Sequence, residues 1–366
     1  MSSDLNKRHQ QILSATIRQY IATAEPVGSK TLVDSYNLNV SPATIRSGFN
    51  TLEKAGLLYQ PHTSAGRVPS DSGYRLYVDR LMQPSPNIGR KVEELFDDKL
   101  DWDSWNLETV LQGAAEVLAT LSGYITMITL PQTHYAKIEH IQFAQIESTK
   151  IMLIVVLDSY QTQSILMQLP AERSESIDDD SLGRELQILA NFLNRKLRGR
   201  SLLDITTLDW SDLDLEFQDY AKLISTLFGD LYRKSQPINS PQITIRGIAE
   251  ILRQPEFSEL QQIKTLLHLL ESEQEQIWQL IFDPRQLILD RSLDLQPKLR
   301  VRIGTENPIE SMRTYTLISA TYQQDSIPVG SVSLLGPKRM LYENAIALVQ
   351  SAADYISEAI GHGRDI

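Results

Sequence analysis

Ser41 followed by Pro42 is the strongest local constraint in this chain. A serine oxygen can accept from the free N–H groups of a first helical turn. A proline in the next position lacks an N–H where none is needed, so together they fix where a helix begins. That start sets the phase of residues 42–54. At 100° per residue, Ile45, Phe49 and Leu52 share one face, which must turn to a core. Ala43, Ser47, Asn50 and Lys54 lie opposite, with Thr44 and Thr51 on one flank and Arg46 on the other. This outward face is small, polar and basic, with no acid at its centre. Short side chains let a helix sit deep in a DNA major groove, and Asn, Ser and Arg can bond base edges or phosphates. An ordinary solvated helix face has a similar composition, so the flanking segments must decide.

Upstream, Asp4 can cap a first helix with the apolar stripe Leu5, Ile12, Ile17, Tyr20 and Ile21. GluProValGly at 25–28 breaks it, and Ser29 can cap a short second helix through about Tyr36. Downstream, LeuLeuTyrGln at 57–60 reads as a strand and Arg67–Val68 as the start of a return strand. Between them lies a loop of hydroxyls and glycine carrying His62, Thr63 and Ser64, with Arg67 near its tip. Three helices followed by such a hairpin predict a winged helix-turn-helix. The third helix would read bases from Ser41, Ala43, Thr44, Arg46, Ser47, Asn50 and Lys54. The wing would meet backbone or minor groove through His62, Thr63, Ser64 and Arg67. A solvated loop histidine accounts for His62 equally well. A closing helix from Asp71 or Ser72 presents Tyr74, Tyr77, Val78 and Leu81 as packing residues.

The total charge of −11 argues against a nucleic-acid partner only until it is partitioned. Residues 1–82 hold nine basic and six acidic side chains, net +3, which leaves −14 for the remainder. Only the head needs to approach DNA. No cysteine occurs in 366 residues, which excludes disulfides, thiolate nucleophiles and cysteine-built metal sites and fits a cytoplasmic setting. The polar start MSSDLNKRHQQ does not read as a targeting segment, and the longest apolar run, Ile151–Leu157, is far short of the roughly 20 residues a spanning helix needs. A soluble protein without a membrane partner is expected.

QPSPNIGR at 83–90 reads as a linker. Beyond it, 104–121 has helical spacing, and 124–130, 137–147, 150–158 and 164–170 read as strands, the third of them central in a sheet. Residues 171–283 are mainly helical, with a possible strand at 241–247. Strands resume at 299–304, 315–322 and 329–336 before a final helix over 339–361. A helical block between two runs of strands predicts a mixed α/β domain carrying an insertion. Arg195, Lys196, Arg198 and Arg200 read as a solvated helix end. Lys338 and Arg339 sit where a strand meets the last helix and could bind an anion, although turn chemistry explains their neighbours. Asp178–Asp180 reads as a solvated loop. The six histidines are scattered, His134 and His140 lacking a third ligand, and HExxH, GxSxG, phosphate-loop and dinucleotide motifs are missing. No enzyme, metal or cofactor is expected.

The strings EPVGSKTL (25–32), SPATIR (41–46), LEKAGLL (52–58) and QPHTSAGRVPSDSGYRLYVD (60–79) closely resemble the HrcA family of heat-inducible transcription repressors. The likeness continues in LRQPEF (252–257), IGTENP (303–308), ISATY (318–322) and PVGSVSLLGPKRMLYENAIALV (328–349). Two positions depart from the family's usual pattern: Ser47 replaces Asn on the reading face, and Phe49 replaces Met on the core side. The resemblance implies an α+β multidomain chain. Its parts would be a winged-helix DNA-binding domain (1–82), a linker (83–103), a GAF-like domain in two parts (104–170 and 286–366) and a mostly helical inserted dimerisation domain (171–285). It also implies a homodimeric repressor of chaperone operons on an inverted-repeat operator of double-stranded DNA, kept active by the chaperonin GroEL and inactivated by heat. A winged-helix regulator controlled by a small molecule in the GAF-like domain is the alternative.

Overall fold

A computed structural model describes residues 5–36, 38, 40–100, 107–131, 137–147, 150–157, 162–168, 179–201, 228–229, 243–282, 299–324 and 327–362. They fall into two compact units of mixed α and β structure. One contains 1–101, 110–129 and 243–366; the other contains 102–109 and 130–242.

The first unit begins with α1 (Lys7–Thr23), α2 (Ser29–Ser35) and α3 (Pro42–Lys54). Asn6 caps α1, its side chain accepting from the His9 N–H at 2.8 Å; Asp4, expected in that role, lies outside the described residues. α2 starts at Ser29 itself behind Gly28, so the expected serine cap there is not made. Ser41 does cap α3, accepting from the Thr44 N–H at 3.2 Å, with Pro42 in the first turn. A short antiparallel pair follows, β1 (Leu58–Tyr59) and β2 (Val68–Pro69), then α4 (Asp71–Leu76), which winds on as one π-type turn to Leu81. Ile12, Ile17, Leu32, Ile45, Phe49, Leu52, Leu58 and Val68 are buried and close a core among these elements.

Residues 83–103 were expected to be a linker, but Pro86–Lys99 form helix α5. Pro86 stands in its first turn, and Val92 and Phe96 are buried four residues apart. The Phe96 ring meets Tyr355 edge-on at 5.3 Å on the last helix. Polar, proline-bearing ends concealed this short amphipathic stripe.

An antiparallel five-stranded sheet has the order β7 (Ile243–Arg246), β3 (Ile125–Thr129), β10 (Ile327–Pro337), β9 (Tyr315–Gln324), β8 (Leu299–Ile303). The register runs through Leu334, opposite both Thr126 and Ile318. On one face Ile125, Met127, Leu317 and Leu335 pack on Phe257 and on helices α8 (Leu260–Ser272) and α9 (Gln274–Ile281). The final helix, α10 (Tyr342–His362), packs on β9 and β10 and on α5, with Ala345, Val349, Ala352 and Ile356 buried. Helix α6 (Leu107–Ser122) leads into β3.

In the second unit, β4 (Ile138–Glu147), β5 (Lys150–Leu157) and β6 (Thr162–Gln168) make a separate antiparallel sheet with β5 central. Helix α7 (Asp179–Leu197) packs on β4, where the Asn194 side chain bonds both the N–H and the C=O of Ile141 at 2.7 Å. The two compact units divide at 129/130 and 242/243, whereas the sequence places its division at 170 and 285. Pairing decides it. β3 pairs with β10 and β7, β4 pairs with β5, and α8 and α9 belong to the core of the five-stranded sheet. Hydrophobic periodicity shows that strands exist without showing which sheet they join.

Candidate nucleic-acid interface

Ser41 capping and the burial of Ile45, Phe49 and Leu52 together aim α3. With the apolar face fixed inward, Ala43, Arg46, Ser47, Asn50 and Lys54 are all exposed. Gly48 lies against α1, where a Cβ would press on the Ile12 methyl. Thr44 is half-buried, its hydroxyl 3.0 Å from Ser41 Oγ, so these two expected readers spend their oxygens on the helix start. Arg46 leans toward α2, its Nε donating to Ser29 Oγ at 3.3 Å. Exposed Lys30 and Thr31 follow Ser29 in that helix. The α2 side of the surface was missed in the sequence, because nothing in the spacing shows which turn stands beside Arg46.

His62, Thr63 and Ser64 are exposed in the loop between β1 and β2. Gln60 shapes that loop, its amide donating to Thr63 O at 3.0 Å and Ala65 O at 2.9 Å. Arg67 is placed differently from the expectation. It stands at the base of the loop rather than near its tip, exchanging backbone hydrogen bonds of 2.9 Å with Val27 in both directions. Its side chain is only 14% exposed and pairs with Glu53 of α3 at 2.9 Å. Gly66 permits this approach, since a Cβ there would collide with the Val27 carbonyl. Arg67 thus ties the hairpin to the turn before α2 and to α3. Its guanidinium is engaged within the fold, while Arg46, Lys54 and Lys30 are exposed.

Lys338 and Arg339, candidate anion binders, are occupied. Lys338 Nζ lies 2.7 Å from Asp71, and Arg339 holds Glu256 and Gln254. Arg198, expected at a solvated helix end, pairs with Glu139 at 3.1 Å. Asp178 and His134 lie outside the described residues. Among the described residues, no group of three metal-ligating side chains converges and no helix is long and apolar enough to cross a membrane.

The family model described as HrcA protein C terminal domain matches residues 108–346. A protein of Anabaena sp. (strain L31) named heat-inducible transcription repressor HrcA is 56% identical over 359 residues, covering 98% of this chain and 99% of its own. One of the same name from Nodularia spumigena is 54% identical over 98% of this chain and 100% of its own. A crystal structure described as that of a hypothetical protein shares the fold at a TM-score of 0.57 and 21% identity, covering 98% of this chain and 99% of that one.

Proposed function

Because this chain belongs to the HrcA family of heat-inducible transcription repressors, we propose that residues 1–82 are a winged helix that binds operator DNA, with α3 in the major groove. The observation that carries this reading is the exposed, acid-free face of Ala43, Ser47, Asn50 and Lys54 beside exposed His62, Thr63 and Ser64. Asn50 and Ser47 would meet base edges. Arg46, Lys54 and Lys30 would meet phosphates, and the loop hydroxyls would follow the backbone. One head of this size covers little DNA and carries a net charge of only +3. An inverted repeat read by a homodimer, with the five-stranded sheet and its helices as a GAF-like core, then accounts for specific binding. Likeness to HrcA proteins also implies that the chaperonin GroEL maintains the active form and that heat withdraws it.

Electrophoretic shifts on chaperone-promoter fragments carrying an inverted repeat, with and without GroEL, test this reading. Retarded complexes strengthened by chaperonin are expected. Binding that ignores chaperonin but follows a metabolite pool would replace it with ligand control.

A further inference from the structure

The strings 303–307 and 338–343 contact residues 1–82 at Asp71, Arg75, Tyr77 and Ile21, none of which belongs to the exposed face of α3. The Asp71 carboxylate at the start of α4 accepts from Lys338 Nζ at 2.7 Å, from the Thr305 N–H at 2.9 Å and from the Thr305 hydroxyl at 3.0 Å. One turn on, the Arg75 guanidinium bonds both carboxylate oxygens of Glu306, with Nε to Oε1 at 2.8 Å, and donates to the Val301 carbonyl. A third contact joins the Tyr77 phenol to Glu343, with Arg18 donating to the same phenol at 3.1 Å. On the far side Arg339 reaches the Ile21 carbonyl at the end of α1 at 3.1 Å. Between these lies one ring contact, Tyr74 against Tyr342 at 5.7 Å.

The receiving turn is built for this contact. Gly304 has φ +54, in the left-handed region, and a Cβ there would collide with the Asp71 carboxylate. Buried Asn307 fastens the turn from behind, its amide donating to Gly304 O, Met312 O and Tyr315 O at 3.1–3.2 Å. Glu306 is itself oriented by accepting from the Ile303 N–H at 2.8 Å. A bidentate arginine–carboxylate pair fixes angle as well as distance, which a point charge does not. Meanwhile Ala43, Ser47 and Asn50 stay exposed.

We propose that these two strings form a socket that sets the orientation of the head, with Asp71 and Arg75 as its positioning residues for operator binding. The inference rests on the reading that residues 1–82 bind DNA. Two heads held at matching angles gain avidity of about 10²–10⁴ over one, and lose it when geometry forbids joint engagement. Loose heads would keep half-site affinity and lose the gain.

The test uses the full chain. It has no cysteine, so Gln11→Cys on exposed α1 gives a single thiol for a fluorophore. Two double variants break the socket: Asp71→Ala with Arg75→Ala from the head side, and Lys338→Ala with Glu306→Gln from the other. The second leaves the head's sequence untouched should the first fail to fold. Anisotropy decay is expected to show the parent's head turning with the whole molecule and to gain a fast component in the variants. Affinity for DNA with one half-site should stay within about twofold, while affinity for the complete repeat should fall about tenfold or more. Unchanged decay in both variants overturns the socket. Equal losses on both DNAs overturn its positioning role, because the residues would then be serving the head itself. If the parent shows no DNA binding at all, the reading of residues 1–82 fails while the decay still judges the socket.

Discussion

At the scale of single residues, two arginines read from the same sequence divide into different tasks. Arg46 is exposed on α3, whereas Arg67 is nearly covered and paired with Glu53. Their substitutions should separate accordingly. Arg46→Ala or Asn50→Ala should weaken operator binding by about 1–3 kcal/mol and leave the thermal melt close to the parent's. Arg67→Ala removes the partner of Glu53 and a strut of the hairpin, and should lower stability by about 1–3 kcal/mol in a denaturant titration. If Arg67→Ala instead flattened the salt dependence of binding with no loss of stability, the buried pair would not be its main task. The sequence shows that both residues are cationic and lie in the third helix and the hairpin that follows it. It does not show that Val27 closes over Arg67, since that contact joins positions forty residues apart.

At the scale of elements, local chemistry was a good guide wherever the signal was itself local. The Ser41–Pro42 start, the inward Ile45, Phe49 and Leu52, and the strands at 125–129, 150–157 and 315–324 were all legible. Ser41→Ala should cost about 1 kcal/mol of stability, measured by chemical unfolding, because the cap on the Thr44 N–H is lost together with the exposed contact to the Thr44 hydroxyl. Two features escaped. α5 hid behind prolines and glycine, although Val92 and Phe96 hold the helical spacing that buries them. Phe96→Ala should destabilise the chain by about 3–5 kcal/mol in the same assay, a loss no flexible linker would show. The assignment of β4–β6 to their own sheet also escaped, because alternation along β5 is the same whichever strand lies beside it. The exposed face of α3 could be derived from phase alone. The socket could not, because it depends on residues more than two hundred positions apart meeting across the fold.

At the scale of the whole molecule, the joint between head and core is made largely of charge. Burial opposes ionisation of Asp71, but Lys338 and the Thr305 donors outweigh it and hold the carboxyl below its ordinary value of 3.8. Burial likewise opposes Glu306, and Arg75 with the Ile303 N–H holds it below 4.5. Groups with lowered native values contribute fully above their unfolded values and lose that contribution as pH falls through the native ones. The joint should therefore be indifferent to pH between 6 and 8 and loosen only below about pH 4. The fluorophore on α1 would report this as a fast anisotropy component appearing in acid. Its appearance near pH 6.5 would mean that a histidine controls the joint.

On the proposed reading of residues 1–82, the residues that grip the core are not those that meet DNA, which bears on how such a protein could change its targets. Substitutions at Ser47, Asn50 or the 62–64 loop leave Asp71 and Arg75 in place, so new DNA sequences could be acquired without disturbing the mount. A head transplanted from a relative faces the reverse demand: it must bring an acid and an arginine spaced to meet Lys338, Thr305 and Glu306. Grafts that exchange only residues 1–82 would work where that match holds. Where it does not, the 303–307 turn and the 338–343 junction must travel with them.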